Sequence, residues 1–313
     1  MKYVAGIDGG QSGTKAAIGD ERGRVVGCGE AGPADEIGVD AKSTRLRDAL
    51  ASALDAARRD AQLGGDVSFE AVVAGISGYE GRVYGVAPAL PTRNLELMHD
   101  APIAHAGAFG GGPGVVTIAG TGSMAYGVSA DGRTRIAGGW GFLFGDEGSG
   151  FWIAREALAR AMRGEDGATE ESALSFFDVP DLRSLARRFY MGDISRDRIA
   201  AFATVVLEES EMARGQAADA LATLAMHAVS EPSDENVTFA FVGGVWSNGQ
   251  LRELTAAALQ GKLEARRIAA EIVEPHYPPV LGALLLAYRN AGIEVPSALR
   301  LREATHRYAQ GDT

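Results

Sequence analysis

The stretch Gly114–Gly150 constrains the fold of this chain more than any other. An apolar run, Val115–Ile118, stops at the turn Gly120-Thr121-Gly122-Ser123, and apolar residues resume at Met124–Val128. Strand, glycine turn and strand together are the pattern of a hairpin. The turn carries almost no side-chain bulk, so its backbone N–H groups can approach an anion closely.

A loop dense in glycine, Gly138–Gly150, follows the hairpin and contains Asp146 and Glu147. It leads into Phe151–Met162, which has a helical pattern, and Ser149 is the expected N-cap of that helix. An anion-accepting turn beside an acidic loop suggests phosphate chemistry on a polar substrate.

The N-terminus has the same plan. The strand Lys2–Ile7 ends in a motif with the sequence DGGQSGTK, and Ala16–Ile18 and Arg24–Gly29 are expected to complete three antiparallel strands. Glycine in the motif permits positive φ and close approach to a ligand. One interpretation is a phosphate site made by Gly9, Gly10, Gly13 and Thr14, with Asp8 facing Mg²⁺ through water. The other is a glycine-rich hairpin with a capping aspartate.

The rest of the chain alternates helices and buried strands. An amphipathic pattern predicts a helix within Ala41–Leu63. Further predicted strands are Glu70–Ile76, Leu95–Met98, Arg133–Ala137, Val237–Val242 and Arg267–Glu274, and further predicted helices are Ala101–Phe109, Asn248–Leu259 and Pro278–Arg289. A long helical region from Phe151 to about Ser230 is expected to break near Gly164–Gly167, Pro180 and Gly192.

Both halves therefore share a glycine hairpin, helices, and strands that end in Gly, Ser or Asp. This predicts a duplicated α/β fold with two mixed sheets, in which ligands bind beyond the carboxyl ends of the strands. The run GGGPG at Gly110–Gly114 is the expected boundary between domains 1–111 and 112–313. An alternative is that the last helices pack back on the first domain.

Composition narrows the function classes. A net charge of -11 and a pI of about 5.0 argue against a nucleic-acid surface. The single cysteine, Cys28, excludes an internal disulfide and an iron–sulfur cluster held within one chain. No apolar run is long enough for a membrane span, and no signal peptide is evident, so a cytoplasmic location is expected.

Taken together, these motifs resemble the superfamily of sugar kinases, heat-shock chaperone ATPases and actin. They are most similar to the BadF/BadG/BcrA/BcrD ATPase family, which includes N-acetylglucosamine kinase. Five ordered motifs carry the resemblance: Asp8–Lys15, Gly120–Ser123, Gly138–Gly150, Val242–Val245 and Pro279–Ala283. The resemblance implies duplicated ribonuclease H-like domains of the actin-like ATPase type, with mixed sheets around a central cleft.

The resemblance also assigns roles to residues. It implies ATP and Mg²⁺ as cofactors, with Asp8 facing the metal through water and Asp100 as the catalytic base. A carboxylate that accepts the proton of an attacking hydroxyl suits this chemistry, although Asp100 is equally suited to cap a helix. The implied phosphate and nucleotide residues are Gly9, Gly10, Gly13, Thr14, Lys15, Gly120, Thr121, Gly122, Gly243 and Gly244. The implied sugar-binding residues are Asp35, Ser77, Gly122, Met124, Gly139, Trp140 and Asp146.

Two departures from the family pattern affect the sugar. Met124 and Asp35 both stand where N-acetylglucosamine kinases usually have Asn. A carboxylate at Asp35 would suit an ammonium group, which favours free glucosamine over its acetylated form. Asp35→Asn kinetics would test that idea.

The resemblance implies an ATP-dependent hexosamine kinase that phosphorylates a hydroxyl, O6, of N-acetylglucosamine or a related amino sugar. One alternative is a kinase of free glucosamine. An alternative of another class is an ATPase activator or regulatory protein of the BadF type. Activators of 2-hydroxyacyl-CoA dehydratases hold an iron–sulfur cluster between subunits, which the single Cys28 disfavours. A homodimer is expected, with no nucleic-acid or membrane partner.

Overall fold

A computed structural model describes residues 1–35, 39–229 and 236–294. Its strands are β1 (Tyr3–Gly9), β2 (Thr14–Asp20), β3 (Val25–Ala31), β4 (Val72–Ile76), β5 (Leu95–His99), β6 (Gly114–Ala119), β7 (Ser123–Val128), β8 (Thr134–Gly138), β9 (Asn236–Val242) and β10 (Ala269–Val273). Its helices are α1 (Arg45–Asp60), α2 (Asp100–Phe109), α3 (Gly150–Met162), α4 (Gly167–Phe177), α5 (Leu182–Tyr190), α6 (Arg196–Ala201), α7 (Ala203–Glu209), α8 (Glu211–His227), α9 (Gly249–Glu264) and α10 (Pro279–Asn290).

The chain divides into two compact units. Unit 1 contains Met1–Gly112 together with the described residues from Pro275 onward, so α10 groups with the N-terminal sheet. Unit 2 is Pro113–Glu274. No helix within the described ranges has both the length and the apolar character to cross a bilayer.

The two sheets have the same topology. The order is β3-β2-β1-β4-β5 in unit 1 and, read in the same sense, β8-β7-β6-β9-β10 in unit 2. In each, the first three strands are antiparallel, and the fourth and fifth are parallel to the first. This confirms the predicted fold class, a duplicated α/β plan with mixed sheets.

Unit 1 has helices on both faces of its sheet. Alternate strand residues point to opposite faces: Ala5, Ile7, Val72 and Ala74 pack with α1, whereas Val4 and Val73 pack with α2 and α10. A side chain on Gly282 of α10 would overlap the carbonyl oxygen of Ile103 in α2. Glycine at this position therefore lets the two helices pack closely.

Unit 2 has one continuous core, to which α3–α9 and the sheet contribute. The helical region predicted to run from Phe151 breaks at more points than the glycine and proline signals indicated. One extra break lies at Phe202, between α6 and α7, and another at Ser210, whose hydroxyl caps α8. The predicted N-cap of α3 is confirmed, because Ser149 Oγ accepts a hydrogen bond from the Trp152 N–H at 3.2 Å.

Candidate functional site

The carboxyl ends of three parallel strands in unit 1 meet in register. Gly9 at the end of β1 pairs with Ile76 at the end of β4, which pairs with His99 at the end of β5. Asp8, Ser77 and Asp100 adjoin these three ends and therefore lie along one edge of the sheet. The residues that follow β3 reach the same edge, because the Ala34 N–H donates to the Gly10 carbonyl at 3.1 Å.

Two carboxylates interact at this edge. Burial and the negative charge of Asp100 raise the pKa of Asp8 to about 7, although the positive charge of Lys15 opposes the shift. Lys15 is the cross-strand partner of Asp8 in β2, so both side chains lie on the same face of the sheet. A cation bound near Asp8 would favour its ionised form.

Asp100 is the first residue of α2, and His99 before it is the N-cap. The N-cap interpretation of Asp100 is therefore wrong by one residue, because His99 has the extended backbone that precedes the helix. Asp100 still benefits from its place in the first turn, where a negative charge is stabilised by the helix dipole. The Nδ1 atom of His99 lies 2.7 Å from Oδ1 of Asp100.

The first glycine motif differs from expectation in its backbone. Gly9, Gly10 and Gly13 do not have positive φ. A side chain on Gly9 would lie 2.9 Å from Cδ1 of Ile76 and 3.1 Å from Cβ of Ala34, so packing, not backbone conformation, favours glycine there. Thr14 is buried, and its hydroxyl donates to the Gly32 carbonyl at 2.7 Å. The hydroxyl proton of Thr14 thus stabilises the turn and is not free for a phosphate.

Ser77 joins the β4 end to the first motif. Its N–H donates to the Gly9 carbonyl at 2.9 Å, and its hydroxyl lies 3.4 Å from Nε2 of Gln11. Within the part of the chain that the structure describes, the buried Oε1 of Gln11 has no hydrogen-bond partner. Gln11 therefore brings an unused acceptor to the edge where Ser77 lies.

Asp35 is buried, and its carboxylate already has a cationic partner. Oδ1 lies 3.1 Å from Nη1 of Arg45, the first residue of α1. The carboxylate retains 9% of its side-chain exposure and the guanidinium 46%. The charge that the sequence assigned to a sugar ammonium is thus offset by Arg45.

The turn Gly120–Ser123 in unit 2 is fixed to the loop Gly138–Gly150 by several hydrogen bonds. Oδ1 of Asp146 accepts the Ser123 N–H at 3.2 Å, and the Ser123 hydroxyl donates to the Glu147 carbonyl at 2.8 Å. The Gly150 N–H donates to the Gly120 carbonyl at 2.8 Å. Asp146 has a φ of 59°, which is uncommon for a residue with a side chain. The turn and the start of α3 therefore form one rigid piece.

Asp146 is buried, and burial raises its pKa above the ordinary value, against the opposing effects of the Ser123 N–H and the charge of Arg196. A side chain on Gly122 would lie 2.9 Å from Oδ2 of Asp146. Glycine at this position makes room for the carboxylate.

A second aspartate contacts the same turn. The Thr121 hydroxyl donates to Oδ1 of Asp197 in α6 at 3.2 Å. The neighbouring Arg196 lies over the Phe142 ring, with Cζ 5.2 Å from the ring centroid. Sequence reasoning missed Asp197 and Arg196, because neither belongs to a glycine motif and 76 positions separate Thr121 from Asp197.

Open space adjoins the two glycine motifs of unit 2. An added side chain at Gly120 or Gly244 would meet nothing within 4 Å. Gly243 follows β9, the strand next to β6, and has a φ of 117°, with its side-chain position occupied by the Ala119 carbonyl. The turns after β6 and β9 thus lie side by side and present bare backbone, as a nucleotide phosphate or ribose requires.

The loop after β8 exposes large apolar side chains. Trp140 is 75% exposed, Leu143 is 69% exposed and Phe144 is 85% exposed. Met124 is buried instead, and it lies under the position that a Gly139 side chain would take, 3.6 Å from its Cβ. Of the predicted sugar residues in this unit, Trp140 is therefore the one with a large exposed side chain.

The side chains and open backbone described above are of the chemical types that bind ATP and Mg²⁺. Mg²⁺ commonly takes one or two carboxylates and completes its shell with water and phosphate oxygens. Asp8 offers one such carboxylate, and the described residues contain no group of three His, Cys, Asp or Glu side chains suited to a metal. The open backbone at Gly120 and Gly244 provides the cradle that phosphates and ribose need.

Comparisons with known proteins agree with this chemistry. The sequence profile of the BadF/BadG/BcrA/BcrD ATPase family matches residues 5–287. An N-acetylmuramic acid/N-acetylglucosamine kinase of Clostridium acetobutylicum is 36% identical over 115 residues, which are 35% of this chain and 38% of that protein. A glucosamine kinase of Vibrio cholerae is 30% identical over 182 residues, 56% of this chain and 59% of that protein. The matches thus span less than two thirds of either relative.

A solved structure resembles the chain over nearly its whole length. A Chromobacterium violaceum protein, described provisionally as an N-acetylglucosamine kinase, has a TM-score of 0.74 at 27% identity. The match covers 92% of this chain and 99% of that one. A ROK family glucokinase of Streptomyces griseus, solved with glucose and AMPPNP, shares the fold at a TM-score of 0.52 and 18% identity.

Proposed function

The chain belongs to the BadF/BadG/BcrA/BcrD ATPase family, and on that premise we propose that it is an ATP-dependent kinase of amino sugars. It transfers the γ-phosphoryl group to a hydroxyl, O6, of N-acetylglucosamine or a related sugar. The observation that carries this proposal is the meeting of Asp8 and Asp100 at one sheet edge, where the charge of Asp100 helps to raise the pKa of Asp8.

Asp100 acts as the general base. Its carboxylate accepts the proton of the sugar hydroxyl while that oxygen attacks the γ-phosphorus, and ADP leaves. Phosphoryl transfer needs little covalent chemistry from the protein, so positioning and charge supply most of the rate. Asp8 would hold Mg²⁺ through water, and the ion would supply positive charge against the phosphates there. Lys15 lies beside Asp8 and adds a positive charge to the same edge.

The backbone of the glycine motifs binds the nucleotide. Thr14 and Thr121 contribute through their main chains, because their hydroxyl protons are donated to Gly32 and Asp197. The residues that we propose for ATP are Gly9, Gly10, Gly13, Thr14, Lys15, Gly120, Thr121, Gly122, Gly243 and Gly244.

The exposed indole of Trp140 offers an apolar face to the sugar ring. We place Asp35, Ser77, Gly122, Met124, Gly139 and Asp146 with it at the sugar. Arg45 neutralises Asp35, which weakens the case for free glucosamine and favours an uncharged N-acetyl group. Glucosamine stays the alternative substrate.

The test is ADP release measured with a coupled assay on glucosamine, N-acetylglucosamine, N-acetylmuramic acid, N-acetylmannosamine and glucose. We expect an N-acetylated amino sugar to give the highest kcat/KM. Asp100→Ala and Asp100→Asn should fold and bind ATP but lose turnover by about 10²- to 10⁴-fold, the range for a removed general base. Near-normal turnover in either variant would remove Asp100 as the base, and no ADP release with any sugar would refute the kinase.

Homodimerisation and a cytoplasmic location stay predictions. Light scattering on the purified chain tests the first.

A further inference from the structure

His99 and Asp100 form a close pair at the edge of the unit 1 sheet. Nδ1 of His99 lies 2.7 Å from Oδ1 of Asp100, and the two side chains are 33% and 25% exposed. His99 is the last residue of β5 and is in register with Ile76 of β4. The sheet therefore fixes the backbone that carries the imidazole.

The ring proton can be assigned from two distances. The same Nδ1 atom lies 3.2 Å from the Ala101 backbone nitrogen, so it is the cap acceptor of α2 only when it carries no proton. A bare Nδ1 facing a carboxylate oxygen at 2.7 Å would oppose two lone pairs. The shorter contact thus requires a proton on it, and the imidazole donates that proton to Asp100.

The carboxylate depends on this donor. Oδ1 of Asp100 is buried and has no other hydrogen-bond partner among the described residues. An enclosed carboxylate oxygen without a donor is costly, so a carboxylate that lost His99 would turn about its Cβ–Cγ bond or move. Oδ2 is the oxygen left to take a proton from a substrate.

The negative charges around the imidazole of His99 favour a proton on the ring and so favour its hydrogen bond to Asp100. Burial lowers the pKa of His99, but the hydrogen bond and the charge of Asp100, with a further contribution from the charge of Glu80, raise it above its ordinary value overall. The facing residue across the sheet, Ile76, is apolar. Both acidic neighbours thus stabilise a ring that carries a proton on Nδ1.

We propose that His99 is a positioning residue, which holds Oδ1 of Asp100 by a hydrogen bond so that Oδ2 is aimed at the acceptor hydroxyl of the sugar. This inference rests on the proposed kinase function. The sugar hydroxyl proton moves to Oδ2, its oxygen bonds to the γ-phosphorus as the bond to ADP breaks, and His99 keeps its own proton. A role confined to capping α2 is the competing explanation.

Three substitutions separate the two roles. His99→Asn keeps a good N-cap and places an amide donor near the position of Nδ1. His99→Asp keeps a good N-cap but offers no donor to Asp100. His99→Ala removes both. His276→Ala is the control, because His276 is an exposed histidine of the same unit.

We expect kcat to fall about 10- to 100-fold in His99→Asp and His99→Ala, the scale of a misaligned catalytic group, with KM for ATP changed less than about threefold. His99→Asn should recover kcat to within about threefold of the unmodified chain, and His276→Ala should match it. Circular dichroism and thermal unfolding identify the folded variants, and kcat is expressed per folded protein.

The outcomes are distinct. If the unmodified chain phosphorylates a sugar and folded His99→Asp keeps the full kcat, the positioning role is overturned and the proposed function stands. Equal losses in His99→Asn and His99→Ala would also overturn it, because a restored donor would then have no effect. An unmodified chain that phosphorylates none of the sugars would overturn both proposals.

Discussion

Arg45, at the start of α1, neutralises Asp35, and under the proposed function this single contact bears on the choice of sugar. An ammonium group gains little from a carboxylate that already has a cation 3.1 Å away. A neutral acetamido group needs hydrogen bonds and no net charge. At the scale of one residue, the ion pair therefore favours acetylated substrates if Asp35 lies at the sugar as proposed.

We expect Asp35→Asn to change the ratio of kcat/KM for glucosamine over N-acetylglucosamine by less than about threefold, because the guanidinium of Arg45 that it leaves unpaired is 46% exposed and is screened by solvent. Arg45→Gln leaves Asp35 unpaired and should shift that ratio toward glucosamine by about tenfold, the factor that 1.4 kcal/mol gives. Coupled kinetics on both sugars measure the two ratios. A tenfold loss of glucosamine preference in Asp35→Asn alone would mean that the carboxylate binds the ammonium directly.

At the scale of elements, glycines let helices approach sheets and one another. Gly6 of β1 faces the backbone of α10 at Leu284, and Gly282 of α10 faces the backbone of α2 at Ile103 and Gly107. Because both contacts are with backbone atoms, a neighbouring side chain cannot turn aside to make room. The position of α2, which begins at Asp100, therefore depends on Gly282.

Gly282→Ala should destabilise the protein by about 1–3 kcal/mol or more, as overpacking does, despite the better helix propensity of alanine. Gly261→Ala is the matched control. It lies in α9, and an added side chain there meets nothing within 4 Å. That substitution should stabilise by up to about 1 kcal/mol. Urea unfolding of both variants measures the difference, and equal stabilities would contradict the packing argument.

At the scale of the whole molecule, unit 1 is assembled from two separate parts of the chain. Its sheet comes from Met1–Gly112, whereas α10 follows the whole of unit 2 in the sequence. The helix buries Val280, Leu281, Leu284 and Tyr288, and the Tyr288 hydroxyl donates to the Asp20 carbonyl at 2.7 Å. Each large apolar side chain contributes about 1.5–3 kcal/mol on burial. Their sum is comparable with the total stability of a domain.

Truncation after Glu274 should therefore unfold unit 1 and leave unit 2 folded. All three tryptophans, Trp140, Trp152 and Trp246, lie in unit 2, so their fluorescence reports on that unit alone. We expect limited proteolysis to degrade residues 1–112 while the emission spectrum is retained. Tyr288→Phe, which removes one hydroxyl, is the control and should keep both units resistant. A protease-resistant unit 1 in the truncated chain would show that α10 is dispensable.

Much of the fold was predictable because its signals are local. Strands β1–β3 and β6–β8, the N-cap Ser149 and the strand ends at Ser77 and Asp100 follow from periodicity and turn chemistry, which depend on residues close in sequence. The reason for Gly9 was not predictable in this way. Its backbone is ordinary, and the close contacts that favour glycine come from Ile76 on a neighbouring strand and from Ala34 after β3, both distant in sequence.

The sequence by itself determined the order of elements, the duplicated plan and the carboxylates at the strand ends. Only the tertiary structure decided which groups pair: Arg45 with Asp35, Asp197 with Thr121, and the imidazole of His99 with Asp100. The physical reason is that an ion pair or side-chain hydrogen bond depends on a few tenths of an ångström and on rotamers. Strand register and helix packing fix those, and neither can be read from the spacing of residues along the chain.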